Sequence, residues 1–130
     1  MTERIQDVAH LGRLELLTPN LDRSRRYFES ALGMKAASDE GRLIYLRGYG
    51  DYAASTLKLT ESDQPGIGYI SWRAASPEAL ERCVNAIQKT GLGDRWDSGD
   101  FGRGPAYRFR DPDGHHMEIY YEEQNTGRSA

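Results

Sequence analysis

The chain has 130 residues, a formal charge of −3 and a single cysteine, Cys83. That length suits one domain able to bury a core without covalent staples, and a slightly acidic balance offers no general attraction to nucleic acid or to an anionic membrane. One cysteine excludes an internal disulfide framework and any multi-cysteine metal site, and no run approaches the roughly 20 apolar residues of a membrane span.

The first ten residues, MTERIQDVAH, contain no apolar stretch of signal-peptide type, so a cytoplasmic protein is expected. Leu11–Thr18 is predicted as a strand, with Leu14 and Leu16 on one face and Arg13, Glu15 and Leu17 on the other. A helix follows: Asn20 is placed to cap it, Asp22 lies in its first turn, and Gly33 stands where a left-handed terminator belongs. Leu21, Ser24, Phe28, Ala31 and Leu32 supply its stripe. Three short strands are predicted at MKAAS, RLIYLRG and ASTLKLTE, before a turn-rich stretch from Ser62 to Gly66.

The same grammar then repeats. GYISWRA reads as a strand, Ser76-Pro77-Glu78 as a capped helix start, Leu80, Cys83, Val84 and Ile87 as the apolar stripe, and Gly91 as the stop. GDRWDSGDF, PAYRFRD and HHMEIYYEE provide three more strands. The chain thus reads β-α-β-β-β twice, an internal duplication of pattern with little residue identity. The expected class is α+β: two side-by-side modules, about 8–62 and 66–123, followed by a disordered tail, 124–130. The polar ending QNTGRSA reads as the natural tail of a self-standing protein.

This plan, ending in DPDGHHMEIYY, resembles the vicinal-oxygen-chelate superfamily of glyoxalases, bleomycin-resistance proteins and extradiol dioxygenases. HLGRLELLTPNLDRSRRYFESALGM, YLRGYGDY…TLKLTES and FGRGPAYRFRDPDGH are most similar to the N-terminal domain of two-domain catechol 2,3-dioxygenases. The resemblance covers about Val8 to Glu123. It implies an open mixed sheet curled into a cup, with site positions on the first and last strands of each module. It also implies a homodimer and, in two-domain relatives, a catalytic triad in the C-terminal half.

Mapped through the internal repeat, the four cup positions are Arg13, Lys58, Tyr69 and Glu118. The extradiol pattern would place histidines on the first strands and a glutamate on the last; Glu118 alone matches. Iron(II) in such a site takes two imidazoles and one carboxylate. Arginine cannot deprotonate, lysine would have to shed a proton beside a cation, and tyrosine coordinates only as phenolate, against a pKa near ~10. His116 shares a face with Glu118 and could accompany it, whereas His115 fits the DPDG turn and His10 is expected on the opposite face of the first strand. No cofactor is therefore expected.

Other residues read structurally: Cys83 as core, Asp111 and Asp113 as turn formers, Arg108 and Arg110 as solvated or paired, and Gly99–Gly104 as no phosphate loop, since no helix follows. Arg13, Lys58, Tyr69, His116 and Glu118 then make a ligand-binding set for a small aromatic or phenolic molecule. The expected function is a dioxygenase-like protein with a degenerate metal site. Two alternatives stand beside it. One is an active extradiol dioxygenase or glyoxalase-like enzyme, using Fe(II) or another divalent metal in a dimer-shared site with Glu118 and His116. The other is a drug-binding protein of the bleomycin-resistance type. A partner domain carrying the metal, in a longer enzyme, is a further arrangement the resemblance allows.

Overall fold

The computed structural model describes residues 6–126. Each helix starts and stops where its capping residues stand. The Asn20 side chain accepts the Arg23 N–H to open α1 (Leu21–Leu32), and Gly33 closes it at φ 66°. Ser76 accepts the Ala79 N–H to open α2 (Pro77–Thr90), and Gly91 closes it at φ 78°. A side chain with a Cβ is strained at such angles, so the glycines end the helices and turn the chain back to the sheet.

The strands are β1 (Val8–Thr18), β2 (Lys35–Asp39), β3 (Leu43–Arg47) and β4 (Leu57–Glu61), then β5 (Gly66–Ala74), β6 (Gly93–Asp97), β7 (Ala106–Arg110) and β8 (His116–Tyr120). They form one eight-stranded mixed sheet in the order β2-β3-β4-β1-β5-β8-β7-β6. In each half the first strand pairs parallel with the last, β1 with β4 and β5 with β8, and the halves join through antiparallel β1 and β5. The duplicated pattern is therefore a duplicated structure, as expected for the vicinal-oxygen-chelate fold.

One face of the sheet packs against the helices. Leu21 of α1 joins Ile44, Leu46, Leu57 and Leu59, with Leu14, Leu16, Phe28 and Met34 against them. In the second half Ala79 and Val84 of α2 meet Ala74, Tyr107 and Ile119, flanked by Trp72, Cys83, Ile87 and Phe109. Cys83 is half-buried rather than sealed in: with Trp72, Ile87, Phe109, Met117 and Ile119 it borders a cavity of about 460 Å³.

Three expectations change. Ala31 and Leu32, placed in the helical stripe, are exposed, because α1 meets the sheet with its Leu21 and Phe28 side. Residues 124–126, placed in a disordered tail, are tied down: Ala54 N–H donates to the Gln124 carbonyl and Thr126 N–H to the Tyr52 carbonyl. The remainder of that tail, 127–130, lies outside the described residues. Finally, β1 carries register shifts between Val8 and His10 and between Leu11 and Arg13. They set both His10 and Arg13 opposite the alternating β5 residues Arg73 and Ser71, so His10 is not on the far face. It stays exposed near the strand's outer end.

Candidate functional site: the face opposite the helices

Alternation along the strands sends the partners of the core leucines to the other face. Arg13 and Glu15 leave β1 there, Lys58 leaves β4, Tyr45 leaves β3, Tyr69 and Ser71 leave β5, Arg108 leaves β7, and His116 and Glu118 leave β8. The loop 98–105 between β6 and β7 folds over this face and adds Asp100, Phe101 and Arg103. Gly102 at φ 78° makes its tight return, and a Cβ on Gly104 would meet the Glu122 side chain at 2.7 Å, so the loop lies flush against the chain after β8.

Three ionised side chains at its centre are almost sealed from solvent: Glu118 is 1 % exposed, Arg13 5 % and Arg103 6 %. Removing such groups from water is costly unless each finds an opposite charge and its hydrogen bonds. Each does. The Arg13 guanidinium forks onto Asp100 at 2.9 and 2.7 Å, the planar bidentate match that lysine cannot make. Lys58 Nζ reaches the same carboxylate at 3.3 Å and lies 3.9 Å from Glu15. Arg103 donates to Asp97 at 2.8 Å and to Asp100 at 3.4 Å.

Glu118 receives the Ser71 hydroxyl at 2.7 Å and Arg108 Nε at 3.2 Å. Arg103 Nε lies 3.0 Å from the same carboxylate, off the line of a good hydrogen bond, so that approach is a charge contact; its Nη2 donates to the other oxygen at 3.5 Å. Four cations, Arg13, Lys58, Arg103 and Arg108, thus interleave with four carboxylates, Glu15, Asp97, Asp100 and Glu118.

Burial by itself pushes the Asp100 carboxyl up, but the Arg13 hydrogen bonds and the charges of Arg13, Arg103 and Lys58 outweigh it, so the group stays ionised below the usual carboxylate range. Asp97 is lowered by the same contest, with Arg103 and Arg108 prevailing over burial. Burial is also the chief reason that the Tyr45 phenol, packed against Arg13, Lys58 and Phe101, is pushed up to about 12.

The structure therefore brings Arg13, Lys58 and Glu118 into one network. Tyr69 and His116 meet at its rim, ring centroids 5.3 Å apart, and Arg108 connects the two groups by stacking 4.1 Å from the Tyr69 centroid. Sequence reasoning missed Ser71, Asp97, Asp100 and Arg103. Alternation from Tyr69 would have placed Ser71, and alternation along β6 sets Asp97 on the face opposite Trp96; Asp100 and Arg103 depend on how the 98–105 loop folds back, for which no periodicity exists.

This donor set does not fit the metal ion of an extradiol site. Both oxygens of Glu118 are engaged by Ser71, Arg103 and Arg108, and the neighbouring strand positions carry Arg13 and Lys58, which have no lone pair to offer as cations. Elsewhere among the described residues, potential ligand atoms of Asp111, Asp113 and His115 lie within 4.8 Å of one another. The Asp111 carboxylate is already occupied there: it accepts the N–H groups of Asp113 and His115 and faces His115 Nδ1 at 2.8 Å. Those bonds close the β7–β8 turn, as expected of the DPDG sequence.

Residues 9–119 match the family model of the Glyoxalase/Bleomycin resistance protein/Dioxygenase superfamily. The chain belongs to that superfamily. Within it, the chain is similar to metapyrocatechase, a catechol 2,3-dioxygenase, of Geobacillus stearothermophilus, with 50% identity over 120 residues covering 92% of this chain and 37% of the relative. It is also similar to a manganese-dependent 2,3-dihydroxybiphenyl 1,2-dioxygenase of Geobacillus genomosp. 3, with 34% identity over 118 residues, 89% of this chain and 38% of the relative. Among solved structures, a variant of homoprotocatechuate 2,3-dioxygenase from Brevibacterium fuscum superposes with a TM-score of 0.88 at 26% identity, over 95% of this chain and 35% of that one. The chain thus spans well under half the length of these superfamily members. No helix among its described residues is long and apolar enough to cross a membrane.

Proposed function

We propose that this chain is the metal-free module of an extradiol dioxygenase acting on catechol-type rings, its cup closed by ion pairs, with the metal carried by a further module of the same superfamily. The observation that carries this reading is the engagement of Glu118, the one carboxylate at the four cup positions, by Ser71, Arg103 and Arg108. Support for the reaction class comes from the 50% identity to metapyrocatechase, and the 37% coverage of that relative leaves room for a second module. The chemistry such an enzyme needs, an open metal ion binding catechol and dioxygen together, would then lie outside this chain.

On this reading Arg13, Lys58, Tyr69, His116 and Glu118 shape the cup and do not themselves capture an anionic or phenolic ligand. A ligand would have to displace Asp100 from a bidentate contact, and a free solute pays for lost translational freedom that a tethered carboxylate does not.

A second reading is favoured by the level of identity itself and by the manganese dependence of one relative. In it this chain cleaves catechol with its own metal, held by Glu118 and His116 and completed across a homodimer.

Two measurements separate the readings. The isolated chain, purified anaerobically and supplied with Fe(II) or Mn(II), is expected to retain no stoichiometric metal and to show no ring cleavage. Replacing the matched 120 residues of the Geobacillus stearothermophilus metapyrocatechase with this chain is expected to give a chimera that cleaves catechol. Stoichiometric metal that disappears in Glu118→Ala, with turnover by the isolated chain, would establish the second reading; a folded, metal-loaded but inactive chimera would overturn the first.

A further inference from the structure

The misfit between this cup and a metal ion has a specific form. Asp97, Asp100 and Glu118 come from the end of β6, the 98–105 loop and β8, and all three reach one guanidinium, that of Arg103, at 2.8, 3.4 and 3.0 Å. Its side chain is 3 % exposed, its Nη1 donates to the Gly104 carbonyl at 2.6 Å and its Nη2 to Asp97 at 2.8 Å, so both terminal nitrogens are hydrogen-bonded while Nε meets Glu118 as a charge contact. Carboxylates from separate elements closing on one buried cation is the arrangement by which proteins hold hard metal ions.

The geometry points to Arg103 as the built-in cation of this module: a tethered guanidinium holds together the carboxylates that a metal ion would otherwise gather. This deepens the metal-free reading above and rests on it. The charge balance makes the assignment more particular. With Arg103 in place four cations face four carboxylates, so its removal leaves a single negative charge in excess, still beside Arg13, Lys58 and Arg108. The vacated cradle therefore suits a planar monocation better than a dication. A free guanidinium ion matches both the charge and the fork geometry, whereas ammonium matches only the charge.

The test is chemical rescue of Arg103→Ala, followed by thermal melting at constant ionic strength. The variant is expected to melt on the order of 10 °C below the unaltered chain, as for loss of one partner from a buried pair. Low-millimolar guanidinium chloride is expected to recover part of that loss and to leave the unaltered chain unchanged, while equal ammonium chloride or manganese chloride recovers little. Rescue is expected to vanish in Arg103→Ala/Glu118→Gln. An unchanged melting temperature in Arg103→Ala, or rescue by manganese in preference to guanidinium, would overturn the assignment.

If Arg103→Ala does not fold, Arg103→Lys keeps the charge without the fork and is expected to melt clearly below the unaltered chain; equal melting would overturn the role of the fork. Metal uptake at Glu118 by the unaltered chain would instead overturn the metal-free reading itself, a result distinguishable from failed rescue in a chain that takes up no metal.

Discussion

The two faces of this one sheet solve burial in different ways. On β8, Ile119 and Glu118 are neighbours in sequence and are both withdrawn from water, yet they point to opposite sides. Ile119 lies among Ala74, Ala79, Val84 and Tyr107, where contact is non-directional and each Å² of apolar surface removed from water stabilises by about 25 cal/mol. Glu118 needs particular atoms at particular angles: the Ser71 hydroxyl, Arg108 Nε and the Arg103 guanidinium. Helices cover the first face and the 98–105 loop covers the second. A hydrophobic face tolerates approximate partners of similar volume, while an ionic face loses most when a single partner is removed.

The strongest test of that contrast is Glu118→Ala. It leaves Arg103 and Arg108 facing a gap and is expected to cost about 3–5 kcal/mol in urea unfolding, the range for uncompensated buried charge. A cost below about 1 kcal/mol would mean that the two faces differ less than their geometry implies.

A smaller effect is expected from pH. Asp97 and Asp100 are held below the ordinary carboxylate value of 3.8, so between the folded and the ordinary pKa the unfolded chain binds more protons. Their contribution is fully present above the ordinary value and is lost as pH falls through the lowered folded values. Thermal melts from pH 7 downward should be level until near pH 4 and then decline, and Asp100→Asn should decline less steeply in that acid range. An identical acid slope in the variant would remove Asp100 from the account.

The smallest change is expected at the β7–β8 turn. His115→Ala removes an exposed contact to Asp111 while the backbone N–H bonds of Asp113 and His115 persist, and it should leave the thermal midpoint close to that of the unaltered chain. A clear drop would show that this exposed pair supports the strands it joins as much as the buried lattice does.

Much of this was legible in residue order, for local reasons. Helix limits followed from Asn20, Gly33, Ser76, Pro77 and Gly91, because capping depends on residues within one turn. Strand faces followed from alternation, which set Leu14 and Leu16 against the helices and Arg13 and Glu15 away from them. The doubled pattern led to the superfamily and to the positions of Arg13, Lys58, Tyr69 and Glu118. Charge partners were not legible. Arg13 meets Asp100 across 87 positions and Ser71 meets Glu118 across 47, separations that no local periodicity encodes. The β1 register shifts that return His10 to the cup side, and the closure of 98–105 over that face, likewise arise only when distant strands pair. Secondary structure and facing are short-range properties of the chain; which acid neutralises which base belongs to the assembled fold, where sequence separation no longer measures distance.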